Sequence, residues 1–176
     1  MSNYKRLFIE GYKYIFLTIV TYNRQDLLLK NIDLLRKSFL YAKSKYVFNI
    51  FACIVLKDHL HCILIVKNEK DYPEIVRLIK YYFSVHIDKR LSLPISKAKK
   101  GEKGVWQRRY WEHIIRNEKD LYMHLDYIHY NCFKHYKIAP KSWEFSSFQK
   151  FVSKCYYDEN WFNIEDKNNV LDKNFE

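Results

Sequence analysis

The order of apolar runs along the chain predicts an α+β fold: a ferredoxin-like, RRM-like antiparallel sheet with helices packed on it. Three observations carry the prediction. Strand-length runs rich in β-branched and aromatic residues alternate with segments whose apolar residues recur at helical spacing. They come in the order strand, helix, strand, strand, helix, which is most of a split βαβ unit. The 176 residues, 48% hydrophobic and 29% charged, suffice for one folded domain with its own core.

Residues 14–22 form the first expected strand, an unbroken apolar run. Asn23 to Asp26 breaks it and starts a helix over about residues 25–43, with Leu28, Ile32, Leu35, Phe39 and Ala42 on one face. Residues 46–56 and 59–66 read as an antiparallel hairpin about Lys57-Asp58. Pro73 suits a first helical turn. Ile75, Ile79, Phe83, His86 and Ile87 continue that helix to about Leu91 and put His86 in the core rather than in a site. Helices on one face of such a sheet leave the other face available. Residues 92–104 form a loop with Pro94, Gly101, Gly104 and four lysines, among them Lys99 and Lys100. A basic loop of this kind either clamps a phosphate backbone or is a solvated connection. Residues 105–115 resume extended structure with a turn near Trp111-Glu112, and residues 118–136 are helical until Ala139-Pro140. A short helix follows from Ser146. The expected organisation is one domain over residues 1–157 and an acidic tail over 158–176, with Trp161, Phe162 and Leu171 as anchors.

A net charge of +11 points to a polyanionic partner, most often nucleic acid. The 16 tyrosines and 12 phenylalanines suit stacking on unpaired bases, or simply fill the core. Cys53, Cys62, Cys132 and Cys155 form no C-x-x-C pair and read as buried free thiols of a reducing compartment. The N-terminal residues have no signal-peptide core, and the longest apolar region is interrupted by Lys57, Asp58, His59 and His61. A cytoplasmic protein without a membrane span is expected.

His59 and His61 lie two apart on a strand, so both side chains take the same face. Two such imidazoles either hold one metal ion or are ordinary strand histidines. On the helix from Glu118, the residues Leu121, Leu125, Ile128 and Cys132 form the buried stripe, and Asp120, His124, Tyr127 and Asn131 gather along its flank. Tyr127 and Asn131 are helical neighbours. Asn131 can offer an oxygen to a hard cation such as Mg²⁺ or Mn²⁺, and the Tyr127 hydroxyl can act as a nucleophile. Packing alone also accounts for both. A structural zinc site using Cys62 is geometrically poor, because Cys62 takes the opposite strand face. A histidine-nucleophile enzyme with alternating histidines would need a third in register, where Ile63 stands.

Residues 55–66, VLKDHLHCILIV, resemble the His-hydrophobic-His (HUH) motif of single-tyrosine transposases. Residues 127–131, YIHYN, resemble the tyrosine helix of REP-associated tyrosine transposases. Residues 105–113 and 143–148 resemble two further segments of that family, and the first strand fits its opening, so the resemblance spans residues 12–150 in the family's order. It implies a metal-dependent enzyme that cuts and rejoins single-stranded DNA beside hairpin repeats through a 5′-phosphotyrosine link. The HUH motif would lie on a central strand and the catalytic tyrosine on a C-terminal helix. His59, His61 and Asn131 carry over as ligands of Mg²⁺ or Mn²⁺, and Tyr127 as the nucleophile. Single-stranded or hairpin DNA is the implied partner, bound by a monomer or a homodimer. Arg108, Arg109, Lys134, Lys99 and Lys100 are candidates for backbone contacts, or are plain surface charge. Two departures stand out: the family usually has Met-Pro where this chain has Leu56-Lys57, and Pro where it has Cys132. The rival reading is a ferredoxin-like module that binds single strands without chemistry.

Overall fold

A computed structural model describes residues 9–87 and 104–161. Four strands, β1 (Lys13–Val20), β2 (Phe48–Val55), β3 (His59–Val66) and β4 (Trp111–Ile114), form one sheet in the order β2-β3-β1-β4. Every neighbouring pair is antiparallel. With helices α1 (Ile32–Lys43) and α2 (Tyr72–His86) as the crossovers, this is the ferredoxin-like α+β arrangement the element order predicts.

Alternation divides the sheet into two cores. Ile15, Leu17 and Ile19 of β1, with Leu60, Cys62 and Leu64 of β3, pack against α1 and α2. Tyr14, Phe16, Ile63 and Ile65 point the other way, under helix α3 (Glu118–Tyr136) and the short α4 (Phe148–Val152). The expectation of one open face is therefore corrected: α3 and α4 cover it. This explains why all eight residues of β3 are buried and why the strand is unbroken apolar from Cys62 to Val66. A bulge between Ile50 and Ala52 flips the parity of β2. Beyond it Cys53 and Val55 face α1 and α2, while Ile54 stands opposite His61 on the α3 side.

The edge of β2 is covered by residues 145–147. Val55 N–H donates to Phe145 O at 2.8 Å, and Ser147 N–H donates to Cys53 O at 2.8 Å. Pro73 stands in the first turn of α2 as expected. Helix α3 begins at an Asn117 cap, whose side chain accepts from Asp120 N–H. It ends on Lys137 in a left-handed conformation with φ 58°.

Some element bounds move. Residues 22–24 make a 3₁₀ turn and α1 starts at Ile32, because Asn23 and Arg24 are left-handed with φ 52° and 50°. Trp111-Glu112 is not a turn but the start of β4, paired with Thr18 and Leu17. His86 is exposed, beyond the last buried residue of α2, with Nδ1 against Tyr82 O. All four cysteines are free, but Cys155 is exposed and Cys53 only part-buried. Trp161 does anchor the chain, 4.5 Å from Tyr157 between ring centres. Lys99, Lys100, Phe162, Leu171 and most of the acidic tail lie outside the described residues. Among the described residues, no helix is long and apolar enough to cross a membrane.

Candidate active site

β3 is held between β2 and β1, and its first residues put His59 and His61 under α3. Both are buried, at 1% and 0% exposure. Their rings are 5.0 Å apart at an interplanar angle of 84°. Each Nδ1 is committed. His59 Nδ1 donates to Asp58 Oδ1 at 2.6 Å, and His61 Nδ1 lies 2.8 Å from Thr18 Oγ1 on the neighbouring strand. A histidine held through Nδ1 presents Nε2 as its ligand nitrogen, which is how metal-binding histidines are usually fixed.

Helix α3 brings the remaining residues from the same chain. The Tyr127 ring is 5.1 Å from the His61 ring and nearly perpendicular to it. Asn131, one turn on, is fully buried, and among the described residues its Oδ1 has no hydrogen-bond partner. Its Nδ2 reaches back to Tyr127 O at 3.5 Å. A buried amide oxygen without a donor costs free energy unless something else occupies it. Two imidazoles and an amide oxygen are a donor set suited to Mn²⁺ or Mg²⁺, so the residues present fit the cation the resemblance implies. Cys62 faces α1 and α2, which removes it from any site with the histidines.

Phe16 of β1 is the floor. It stacks on His61 at 5.8 Å, meets Tyr127 edge-on at 6.1 Å and touches His124 at 4.7 Å. Lys134 places Nζ 5.3 Å from the Tyr127 ring centre, so a charge proposed for DNA stands beside the tyrosine. Arg108 and Arg109 do not gather with it. Their segment is tied to α2 by Lys80, which donates to Gln107 O and Arg108 O, and both side chains are exposed. Tyr127 is 2% exposed, so a phosphate reaches it only after the groups covering it move.

His113 of β4 belongs to a second cluster. Its Nε2 donates to Asp120 Oδ2 at 2.8 Å, and its ring stacks on His124 at 4.7 Å. Ligand atoms of His113, Asp120 and His124 lie within 4.8 Å of one another. The His124 Nδ1 proton is spent on Asp120 O at 2.8 Å, however, and Asp120 also accepts from Arg116 N–H at 3.0 Å. That pattern clamps the start of α3 to β4.

Thr18, Asp58, Phe16 and His135 are the site neighbours that sequence patterning missed. The His135 ring is 4.9 Å from that of His59. Faint signals exist for three: a lone Thr in an apolar strand, an Asp directly before the first His, and a His four residues after Asn131.

Comparison with known proteins identifies the family. A family model for IS200-like transposases matches residues 9–131. A Haemophilus influenzae protein described as a REP-associated tyrosine transposase is 35% identical over 164 residues, 92% of this chain and 93% of the relative. The REP-associated tyrosine transposase of Escherichia coli is 34% identical over 163 residues, 92% of this chain and 91% of the relative. The solved structure of a REP-associated tyrosine transposase bound to a REP hairpin superposes with a TM-score of 0.73 at 32% identity, covering 99% of this chain and 96% of that one.

Proposed function

Because this chain belongs to the IS200-like transposase family, among the REP-associated tyrosine transposases, we propose that it cuts and rejoins single-stranded DNA beside a hairpin, using Tyr127 as the nucleophile. The observation that carries the reading is the packing of the Tyr127 ring against His61 within one chain, with Asn131 one turn further on. The similar structure that holds a REP hairpin supports a hairpin-bearing DNA as the partner.

The chemistry follows from the residues. Tyr127 Oη attacks the scissile phosphorus, forming a 5′-phosphotyrosine and releasing a strand with a free 3′-hydroxyl. The link conserves the energy of the phosphodiester, so attack by a 3′-hydroxyl reverses the step without a nucleotide cofactor. His59, His61 and Asn131 would hold a divalent cation, Mg²⁺ or Mn²⁺, which would offset charge building on the phosphate oxygens. Phe16 and the Asp58 and Thr18 contacts keep the rings in place. Lys134 supplies positive charge beside the tyrosine. A single strand suits the site, because a phosphate must come within bonding distance of a tyrosine on a helix packed over the sheet.

The test is a labelled hairpin-bearing oligonucleotide incubated with Mg²⁺ or Mn²⁺. An adduct that survives denaturation and maps to Tyr127 is expected. Tyr127→Phe should lose the adduct and keep hairpin binding. Cleavage by Tyr127→Phe at the wild-type rate would remove Tyr127 as nucleophile. Binding without any metal-dependent cleavage would leave the non-catalytic binding module.

A further inference from the structure

The turn that precedes His59 is held more firmly than a two-residue hairpin connection requires. The segment from Thr21 to Leu28, just after β1, wraps around it. Thr21 N–H donates to Asp58 O at 2.7 Å, and Thr21 Oγ1 lies 2.9 Å from the same carbonyl. Leu27 and Leu28 N–H donate to Lys57 O at 3.0 and 2.9 Å. Arg24 Nη1 reaches Asp58 Oδ2 at 3.3 Å. Two successive non-glycine residues there, Asn23 and Arg24, are left-handed. Such a pair costs free energy and persists only where surrounding contacts fix it.

The contact between Asp58 and His59 does not come from strand geometry. Adjacent residues on a regular strand point to opposite faces, so residue i does not reach the ring of residue i+1. Asp58 reaches Nδ1 because it lies in the turn, outside β3, with its carbonyl and carboxylate both engaged by the Thr21–Leu28 segment.

We propose that Asp58 is the positioning residue for His59 as a metal ligand, and that the left-handed Asn23–Arg24 turn exists to seat it. The inference rests on the metal reading of His59, His61 and Asn131. The carboxylate accepts the Nδ1 proton, fixes the tautomer with Nε2 bare, and sets the ring nearly perpendicular to His61. Its partner across the sheet differs: His61 is held by the neutral hydroxyl of Thr18. The pair is therefore asymmetric, with a carboxylate behind His59 and a hydroxyl behind His61.

Mn²⁺ titration of the full chain without DNA, followed by calorimetry and by the Mn²⁺ EPR signal, tests this apart from activity. Asp58→Ala should weaken Mn²⁺ binding about 10–100-fold, the range seen when outer partners of metal-bound histidines are lost. Asp58→Asn keeps an acceptor oxygen and should restore most of the affinity. Arg24→Ala should weaken binding less, and should add nothing in the Asp58→Ala background, because both act through one contact. His59→Ala separates the two levels. If it leaves Mn²⁺ affinity unchanged, the metal reading itself fails. If it abolishes binding while Asp58→Ala binds as wild type, the metal reading stands and the positioning role falls. Should Asp58→Ala not fold, ¹⁵N NMR of the metal-free wild-type protein decides. The Nδ1–H tautomer of His59 is expected, and an Nε2–H tautomer overturns the proposal.

Discussion

Replacing Asp120 by Ala tests how the tyrosine helix is anchored. Asp120 is 4% exposed and joins three elements. It accepts from His113 of β4 and from Arg116 N–H ahead of α3, and lies 3.2 Å from His124 Nδ1 one turn on. A hydrogen bond to a charged group is worth about 1.5–3 kcal/mol. The Arg116 guanidinium contributes little, because its side chain is 75% exposed and solvent screens the pair. His124 keeps Asp120 O as its partner after truncation. The expected loss is then about 3 kcal/mol, or roughly 6–12 °C in Tm for a chain of this size. Urea unfolding followed by circular dichroism at pH 7 measures it, and a loss under about 1 kcal/mol would refute the clamp. The pH dependence supplies a second check. Burial pushes the Asp120 carboxyl up, but the His113 bond, the Arg116 N–H and the His113 charge outweigh it and hold the carboxyl below its usual value. A lowered carboxyl stabilises the fold above its unfolded value of about 3.9, and loses that contribution as pH falls through the lower folded value. The stability gap between wild type and Asp120→Ala should therefore be full at pH 7 and close in acid below about pH 4. A gap of constant size down to pH 2 contradicts the assignment.

Two further substitutions probe the C-terminal end of the same helix. Lys137→Gly relieves a left-handed residue at the C-terminus of α3 and should stabilise by about 1 kcal/mol in urea unfolding, with adduct formation unchanged. Tyr136→Phe removes the hydroxyl that accepts from Lys57 N–H at 3.2 Å while leaving the ring stacked on Trp143 at 5.1 Å. It should cost about 0.5–1.5 kcal/mol and slow adduct formation, with hairpin affinity by fluorescence anisotropy unaltered.

The sheet was largely legible because its strands are long and chemically distinct, and the face of His59 and His61 follows from period-two alternation alone. That Tyr127 and Asn131 lie together beside the buried stripe was legible for the same kind of reason, from the helical period, while the roles expected of them came only with the family resemblance. The parts that escaped depend on pairing across distance. Thr18 meets His61 only through the register of β1 on β3, and His113 meets Asp120 only once β4 is placed. The four residues of β4 are too few for a periodic pattern, which made its start look like a turn. The covered second face was missed because the amphipathic pattern of α3 tells which side is buried but not against what. At Leu56-Lys57, where the family usually has Met-Pro, Lys57 N–H bonds the Tyr136 hydroxyl, a bond proline cannot make. This chain thus ties the turn before its histidines directly to the tyrosine helix.

The placement of β1 has a consequence for synthesis on the ribosome. This strand is the first to emerge, yet in the finished sheet it lies between β3 and β4, and β4 is more than ninety residues later. Pairings of such separation form late and slowly. A nascent or truncated chain that stops before residue 118 carries its histidine pair and lacks the tyrosine altogether. Tyr127 thus joins the molecule only when the sheet beneath it is nearly complete, so an unfinished product carries the histidines without the helix that packs over them.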